Sequence, residues 1–233
     1  GRCHSGGVAM AIGVQTDMAT PALARFGSHE LKERYLAPAM AGAMVAAIAV
    51  TEPDAGSDVA GLRTKAVRDG DEWVINGTKL YITNGTQADW LCLLARTSDE
   101  GGARGMSQIV VPTDAEGFSV SRKLDKLGQR SSDTAELSFV DVRVPVDNTI
   151  GEAGRGFQQQ MAQFQNERLI ANYMSAANMR LALDRTIAYV KQRRAFGKTL
   201  ADQQWIQYKL AEVIAEVDVV THYNHACAEA VVA

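Results

Sequence analysis

The 233-residue chain is long enough for one large domain or two small ones, and its 46% hydrophobic content is enough for a substantial core. A net charge of −3 without a block of like charge argues against a nucleic-acid binder, which needs a basic surplus on one face. Cys3, Cys92 and Cys227 are widely spaced and form no CxxC pair, which speaks against a disulfide framework or zinc ribbon and for a reducing compartment.

From Val8 to Ala43 the sequence is rich in Ala and Met, with Pro21 placed at a first helical position after Thr20. Leu23, Phe26, Leu31, Tyr35 and Leu36 follow at helical spacing, so a helical region is expected. The run Ala43 to Val50 is apolar for eight residues, against the roughly 20 of a membrane-crossing helix, and no span is expected. From Val45 to about Val144 the period changes to two. Trp73 and Ile75, then Leu80 and Ile82, alternate around Asn76-Gly77, which predicts a hairpin turn at that dipeptide. Leu91 to Leu94, Gln108 to Val111, Phe118 to Val120 and Ala135 to Val140 predict further short strands, for a barrel or sandwich of roughly six to eight strands.

After Gly151, Gly154 and Gly156, which do not form GxGxxG and are read as the β-to-α junction, the helical period returns. Phe157, Met161, Phe164, Leu169, Met174, Leu181, Leu183 and Tyr189 carry it to a loop at Arg193 to Lys198, and a further helix is predicted from about Asp202. The predicted class is α+β: a helical region over 1–44, a central β-barrel or sandwich domain over 45–150, and a long-helix bundle over 151–233. The chain opens at Gly1 and closes without a Gly or Pro stop, so a segment truncated at both ends is expected.

Two stretches carry the most specific signal. The first is Ala49-Val50-Thr51-Glu52-Pro53-Asp54-Ala55-Gly56-Ser57-Asp58, followed about thirty residues on by Tyr81-Ile82-Thr83-Asn84-Gly85. The second is Arg193-Arg194-Ala195-Phe196-Gly197-Lys198-Thr199-Leu200, with Gln204 four residues later. The first resembles the VTEPxAGSD and [WY]ITNG flavin-binding signature of the acyl-CoA dehydrogenase family, and the second is similar to that family's RxxFGxxLxxxQ signature.

The resemblance implies an FAD enzyme that removes hydrogen from the α and β carbons of an acyl-CoA thioester. That chemistry needs a carboxylate base, donors for the thioester carbonyl, and contacts that polarise the flavin. By the resemblance, Thr51 with the backbone of Val50 binds the flavin pyrimidine edge, Thr83 with Ile82 lies at the reacting edge, and Tyr81, where many members carry Trp, packs on the ring. Ser57 takes the family position beside the cofactor and the CoA chain. Arg193, Phe196 and Gln204 imply contacts with the pyrophosphate and adenosine half of FAD bound by a neighbouring subunit, hence a homodimer or homotetramer. Gln165-Asn166-Glu167-Arg168 resembles the Glu-Arg pattern of members that carry the base on a helix, as the long-chain and isovaleryl enzymes do. Glu167 is then the catalytic base, and Gln165, Asn166 and Arg168 face substrate, with Arg168 on CoA. Read from the residues alone, Glu167 is a solvated glutamate on an amphipathic helix, paired with a nearby cation, and Lys191 to Lys198 an exposed basic loop.

The implied partners are an acyl-CoA of longer or branched chain and an electron-transferring flavoprotein, in the bacterial cytoplasm or the mitochondrial matrix, the former preferred. An acyl-CoA oxidase or nitroalkane-oxidising relative, or a non-catalytic flavoprotein of the same fold, are the alternatives. His222, His225 and Cys227 share a helix without a second ligand pair, and no metal is expected. Cys92, in an apolar strand, is read as a core residue.

Overall fold

The computed structural model describes residues 5–232. They form two compact units, one over Ser5–Asn166 and one from Glu167 onward.

The first unit opens with short helices: α1 (Gly6–Gly13), α2 (Pro21–Phe26), α3 (His29–Leu31) and α4 (Ala37–Met40). Two π-helical stretches, Val14–Ala19 and Lys32–Leu36, interrupt them. Pro21 takes the first position of α2, and the Ser28 hydroxyl accepts from Leu31 N at 3.2 Å to cap α3. The first widened turn sends Gln15 inward. Its amide donates to Ala39 O (3.1 Å) and Met44 O (3.0 Å) and accepts from Ala46 N (2.7 Å), joining the helices to the first strand.

Seven strands then form one sheet: β1 (Ala46–Ala49), β2 (Lys65–Asp69), β3 (Glu72–Thr83), β4 (Trp90–Arg96), β5 (Met106–Pro112), β6 (Phe118–Lys123) and β7 (Thr134–Pro145). The order is β1-β4-β2-β3-β7-β6, with β5 antiparallel along β4 from Trp90 to Arg96. The opposite edge of β4 is shared: β1 runs parallel to it over Trp90–Leu93, and β2 meets it at Arg96. Both faces of β4 and β5 are covered; β4 accordingly reads as an unbroken apolar run from Trp90 to Ala95, while β5 also buries the polar Ser107 and Gln108. Leu91, Leu93, Ile109 and Val111 enter the main core with Trp73, Ile75, Leu137 and Phe139. Trp90, Cys92 and Val110 turn the other way, against Leu23, Leu31 and Tyr35 of the helical region.

The sequence reading errs at Asn76-Gly77. No turn forms there: β3 continues through it, and the hairpin lies six residues earlier, where Gly70-Asp71 (Gly70 φ 61°) joins β2 to β3. Asn76-Gly77 instead marks a register shift between β3 and β7. The Asn76 amide donates to Asp141 Oδ1 and its oxygen accepts from Asp141 N, both at 2.9 Å, bridging the irregularity. Gly77 is required by close approach, since a Cβ there would lie 2.4 Å from Thr64 Oγ1 and 2.8 Å from Thr64 Cα. Gly77→Ala is therefore expected to destabilise the protein by about 1–3 kcal/mol, read as a lower urea midpoint; an unchanged midpoint would refute the packing argument. Strand β2 went unseen because Lys65-Ala66-Val67-Arg68-Asp69 offers Val67 as its only large apolar residue, and Val67 is exposed.

The segment after β7 is strapped onto β5. Asn148 donates to Val110 O (2.8 Å), Ile150 N to Gln108 O (2.8 Å) and Gly154 N to Ser107 Oγ (2.9 Å). Helix α5 (Gly156–Gln192) begins where a Cβ on Gly156 would fall 2.5 Å from the Ser107 carbonyl carbon, so glycine at this β-to-α junction permits close backbone approach.

In the second unit α5 and α6 (Gln204–Val232) pack antiparallel, with Tyr173 reaching Asn224 O (3.1 Å) and Arg180 paired with Asp218. Ala176, Leu183 and Val190, buried at seven-residue spacing, form the α5 seam, and Val217 and Asn224, also seven residues apart, are buried on α6. Between the helices, the predicted loop contains a small hairpin, β8 (Arg194–Ala195) and β9 (Lys198–Thr199). Of the described residues, no helix is long and apolar enough to cross a membrane.

Candidate active site

Strand β1 ends at Ala49, and the chain turns into a loop held from several sides. The Thr51 carbonyl accepts from Leu80 N (2.8 Å), and Glu52 and Ala55 exchange two backbone bonds (2.8 and 3.2 Å). Below them lies the fully buried Lys79 of β3. Its ammonium donates to Val50 O (2.8 Å) and Glu52 Oε1 (2.9 Å). The Glu52 carboxylate accepts in addition from Thr64 N (2.9 Å) and Arg63 N (2.6 Å). Burial pushes the Lys79 pKa down to about 8 although Glu52 opposes the shift. For Glu52 burial acts upward, but the Lys79 charge and the hydrogen bonds from Thr64 and Arg63 outweigh it and leave the carboxyl below its ordinary value.

Thr51 thus sits between two anchored residues, half-buried itself, next to buried Val50. Two residues beyond Lys79, β3 bulges against β7: the register moves from Lys79↔Leu137 to Ile82↔Ala135, so Leu80 and Tyr81 together oppose Glu136. Tyr81 adopts φ 63° and its side chain is 65% exposed. The bulge turns an aromatic ring out of the strand while Ile82 returns to the core and Thr83, half-buried, pairs with Thr134. Asn84 (φ 66°) closes the strand; buried, it donates to Ala11 O at 3.0 Å and Ala46 O at 3.4 Å, tying the turn to α1 and β1.

Val50, Thr51, Tyr81, Ile82 and Thr83 therefore share one neighbourhood, organised by the Thr51–Leu80 bond. Ser57 lies in the exposed bend that follows. Among the described residues the hydroxyls of Thr51, Ser57 and Thr83 have no hydrogen-bond partner. Half-buried hydroxyls with unspent bonds beside apolar Val50 and Ile82 suit a flat ring with a polar edge, so these residues fit a flavin. Sequence reasoning missed Glu52 and Lys79 as a pair. The signal was present: Lys79 is in phase with inward-facing Trp73 and Ile75, and an inward lysine requires a carboxylate.

Gln165, Asn166, Glu167 and Arg168 are consecutive on α5, about 100° apart around its axis. Asn166 and Glu167 are half-buried; Gln165 and Arg168 are exposed. Glu167 and Arg168 consequently point in different directions. In the second unit, Phe196-Gly197 is the two-residue loop of the β8–β9 hairpin, with φ of 54° and 77°, the left-handed pair such a tight hairpin uses. The Phe196 ring is 99% exposed at its tip. Arg193, exposed, receives Leu200 N on its carbonyl (2.8 Å), and exposed Gln204 starts α6. Between them Thr199 and Asp202 form a capping box, whose hydrogen bonds hold the Asp202 carboxyl below its ordinary pKa. His222 Nδ1 lies 2.8 Å from Asp218 O, and the His225 ring stands edge-on to Tyr173 with centroids 5.6 Å apart. Among the described residues no three metal-ligating side chains cluster.

Compared with known families, residues 1–43, 47–142 and 154–233 match, in order, the N-terminal, middle and C-terminal domains of acyl-CoA dehydrogenase. The chain belongs to the acyl-CoA dehydrogenase family. It is 39% identical over 216 residues to the mitochondrial long-chain specific acyl-CoA dehydrogenase of Mus musculus, covering 92% of this chain and 50% of that protein. It is 37% identical to the mitochondrial isovaleryl-CoA dehydrogenase of Solanum tuberosum, covering 96% of this chain and 54% of that one. A crystal structure of a probable acyl-CoA dehydrogenase from Mycobacterium abscessus superposes with a TM-score of 0.95 at 46% identity, covering 98% of this chain and 60% of the other. The chain thus spans about half the length of the curated relatives it matches. The helical, β, helical order predicted from sequence is the order of this acyl-CoA dehydrogenase fold.

Proposed function

We propose that the protein to which this chain belongs is an FAD-dependent acyl-CoA dehydrogenase that converts an acyl-CoA to its trans-2-enoyl-CoA, with a longer or branched acyl chain as substrate. The observation that carries this reading is the anchored Val50–Glu52 loop beside the Tyr81 bulge, with three hydroxyls still able to hydrogen-bond a ligand. When bound, the flavin accepts the hydride lost from the substrate β-carbon. The chain's own residues do the rest. Thr51, with the Val50 backbone, and Thr83, with Ile82, hydrogen-bond the polar edge of the ring, and Tyr81 packs beside it. The Glu167 carboxylate takes the α-proton as its C–H pair forms the new double bond. Arg168 balances CoA charge, with Gln165, Asn166 and Ser57 as further contacts.

Arg193, whose planar fork suits a phosphate, Phe196 and Gln204 serve a cofactor bound by a second copy, which makes the working unit a homodimer or homotetramer. The exposed aromatic rings of Phe196, Trp205 and Tyr208 support burial of this region in a larger assembly. An electron-transferring flavoprotein is the proposed acceptor, and the bacterial cytoplasm the proposed location. Relatives named for long-chain and isovaleryl substrates support this choice of substrate class.

The test is an anaerobic absorbance spectrum of the full-length protein before and after addition of a panel of acyl-CoAs. A flavin band that bleaches with long or branched thioesters is expected. A colourless protein that takes up no FAD, or a band untouched by every thioester, would overturn the reading. Rapid peroxide formation without another acceptor would instead assign an oxidase.

A further inference from the structure

Lys79 is an unusual residue to find inside a sheet. It is 0% exposed, and two acceptors meet its ammonium: the carbonyl of Val50 and one oxygen of Glu52. A cation taken wholly out of water is costly, and a buried pair of this kind is often no more stable than an apolar pair of the same shape. The arrangement therefore calls for a reason other than stability. Its geometry supplies one. The two acceptors are the residues on either side of Thr51, and the next residue of β3, Leu80, binds the Thr51 carbonyl itself at 2.8 Å. The other Glu52 oxygen is taken by Arg63 N at 2.6 Å, so the carboxylate cannot rotate to follow a moving loop. Three successive residues are fixed from beneath by two successive residues of one strand, and that strand reaches its bulge at Tyr81 one residue later.

We infer that Lys79, acting through Val50 and Glu52, is a positioning residue that sets the height and orientation of Thr51 against the flavin ring. The assignment rests on the flavin reading above. Lys79 itself touches neither cofactor nor substrate. Its effect is to remove the freedom of the loop before the cofactor arrives, so that the Thr51 donors need no reorganisation on binding. The lowered pKa of the ammonium is the mark of the burial this role requires.

The experiment compares full-length wild type with Lys79→Met, Glu52→Gln and the double variant, which removes both charges while keeping their bulk. FAD affinity is read by fluorescence titration and the flavin environment by the visible absorbance envelope. Hydrogen exchange of the Val50–Glu52 amides is followed in flavin-free protein. The double variant is expected to fold, to bind FAD about tenfold more weakly, to shift the flavin absorbance, and to exchange the loop amides faster while β4 stays protected. Should Lys79→Met fail to fold, the double variant and Glu52→Gln still decide the matter. A double variant with wild-type FAD affinity and an unshifted spectrum would overturn the assignment, even if its melting temperature fell, since a purely structural pair moves only the latter. Failure of the wild type itself to bind FAD would bring down the flavin reading, and the assignment with it.

Discussion

Replacement of Glu167 by Gln is expected to slow acyl-CoA-dependent bleaching of the flavin by about 10²–10⁴-fold, while FAD binding and the fold stay intact. The substitution keeps the size and shape of the side chain but removes the oxygen charge that accepts a proton, so loss of rate with retained structure isolates the proton transfer. The position favours a clean result. Glu167 is half-buried on α5, a helix of 37 residues, and Gln keeps its length and shape there. Anaerobic stopped-flow with a saturating long-chain or branched acyl-CoA gives the rate. Bleaching at the wild-type rate would remove Glu167 from the mechanism and direct attention to a base elsewhere in the full-length protein. A Glu167→Asp variant, which retains the charge on a side chain one methylene shorter, is expected to fall between the two, because rate depends steeply on placement of the base.

Removing one member of the Glu52–Lys79 pair is expected to be the most damaging change to stability, about 3–5 kcal/mol for Lys79→Ala or Glu52→Ala, measured by urea denaturation. Each leaves the other charge buried without its counter-ion, with the Val50 carbonyl also unmet in the lysine variant. The isosteric double replacement Lys79→Met with Glu52→Gln is expected to lose far less, and a double variant as unstable as either single one would contradict the argument. The pH dependence carries a second signature. The Glu52 carboxyl has a folded pKa below its unfolded value, so its contribution is present above pH about 4.5 and is lost as pH falls through the folded value. Lys79 moves from 10.5 to about 8 on folding, so between those values the unfolded chain holds a proton that the folded chain releases, and stability rises with pH. The shift corresponds to about 3 kcal/mol over that window. Relative to the double variant, the wild type is expected to lose stability below about pH 4.5 and gain it above about pH 8. Parallel curves would show that the pair does not titrate with folding.

The site was legible to different depths. Thr51, Tyr81 and Thr83 could be singled out because their motifs are long and unusual, and the fold brings both motifs together through the Thr51–Leu80 bond. Lys79 was hidden in plain view: a lysine in a strand ordinarily faces water, and only the partner Glu52, twenty-seven residues away, makes an inward lysine tolerable. The bulge that turns Tyr81 outward was equally invisible, since nothing in Lys79-Leu80-Tyr81-Ile82 announces a break in alternation.

What the sequence determined by itself was local: helical period before Ala43 and after Gly156, period two between them, and short apolar strands at Leu91 to Leu94 and Gln108 to Val111. These follow from side-chain spacing, which a linear chain displays directly. What only the tertiary structure decided was which segments pair. Asn76-Gly77 carried a strong turn signal, yet β3 runs straight through it, because β7 offers Asp141 to the Asn76 amide and Thr64 leaves no room for a Cβ at Gly77. Gly70-Asp71 makes the turn instead. Local preference nominates a turn, but long-range pairing and steric fit choose among the nominees, and neither is written in the residues that flank it.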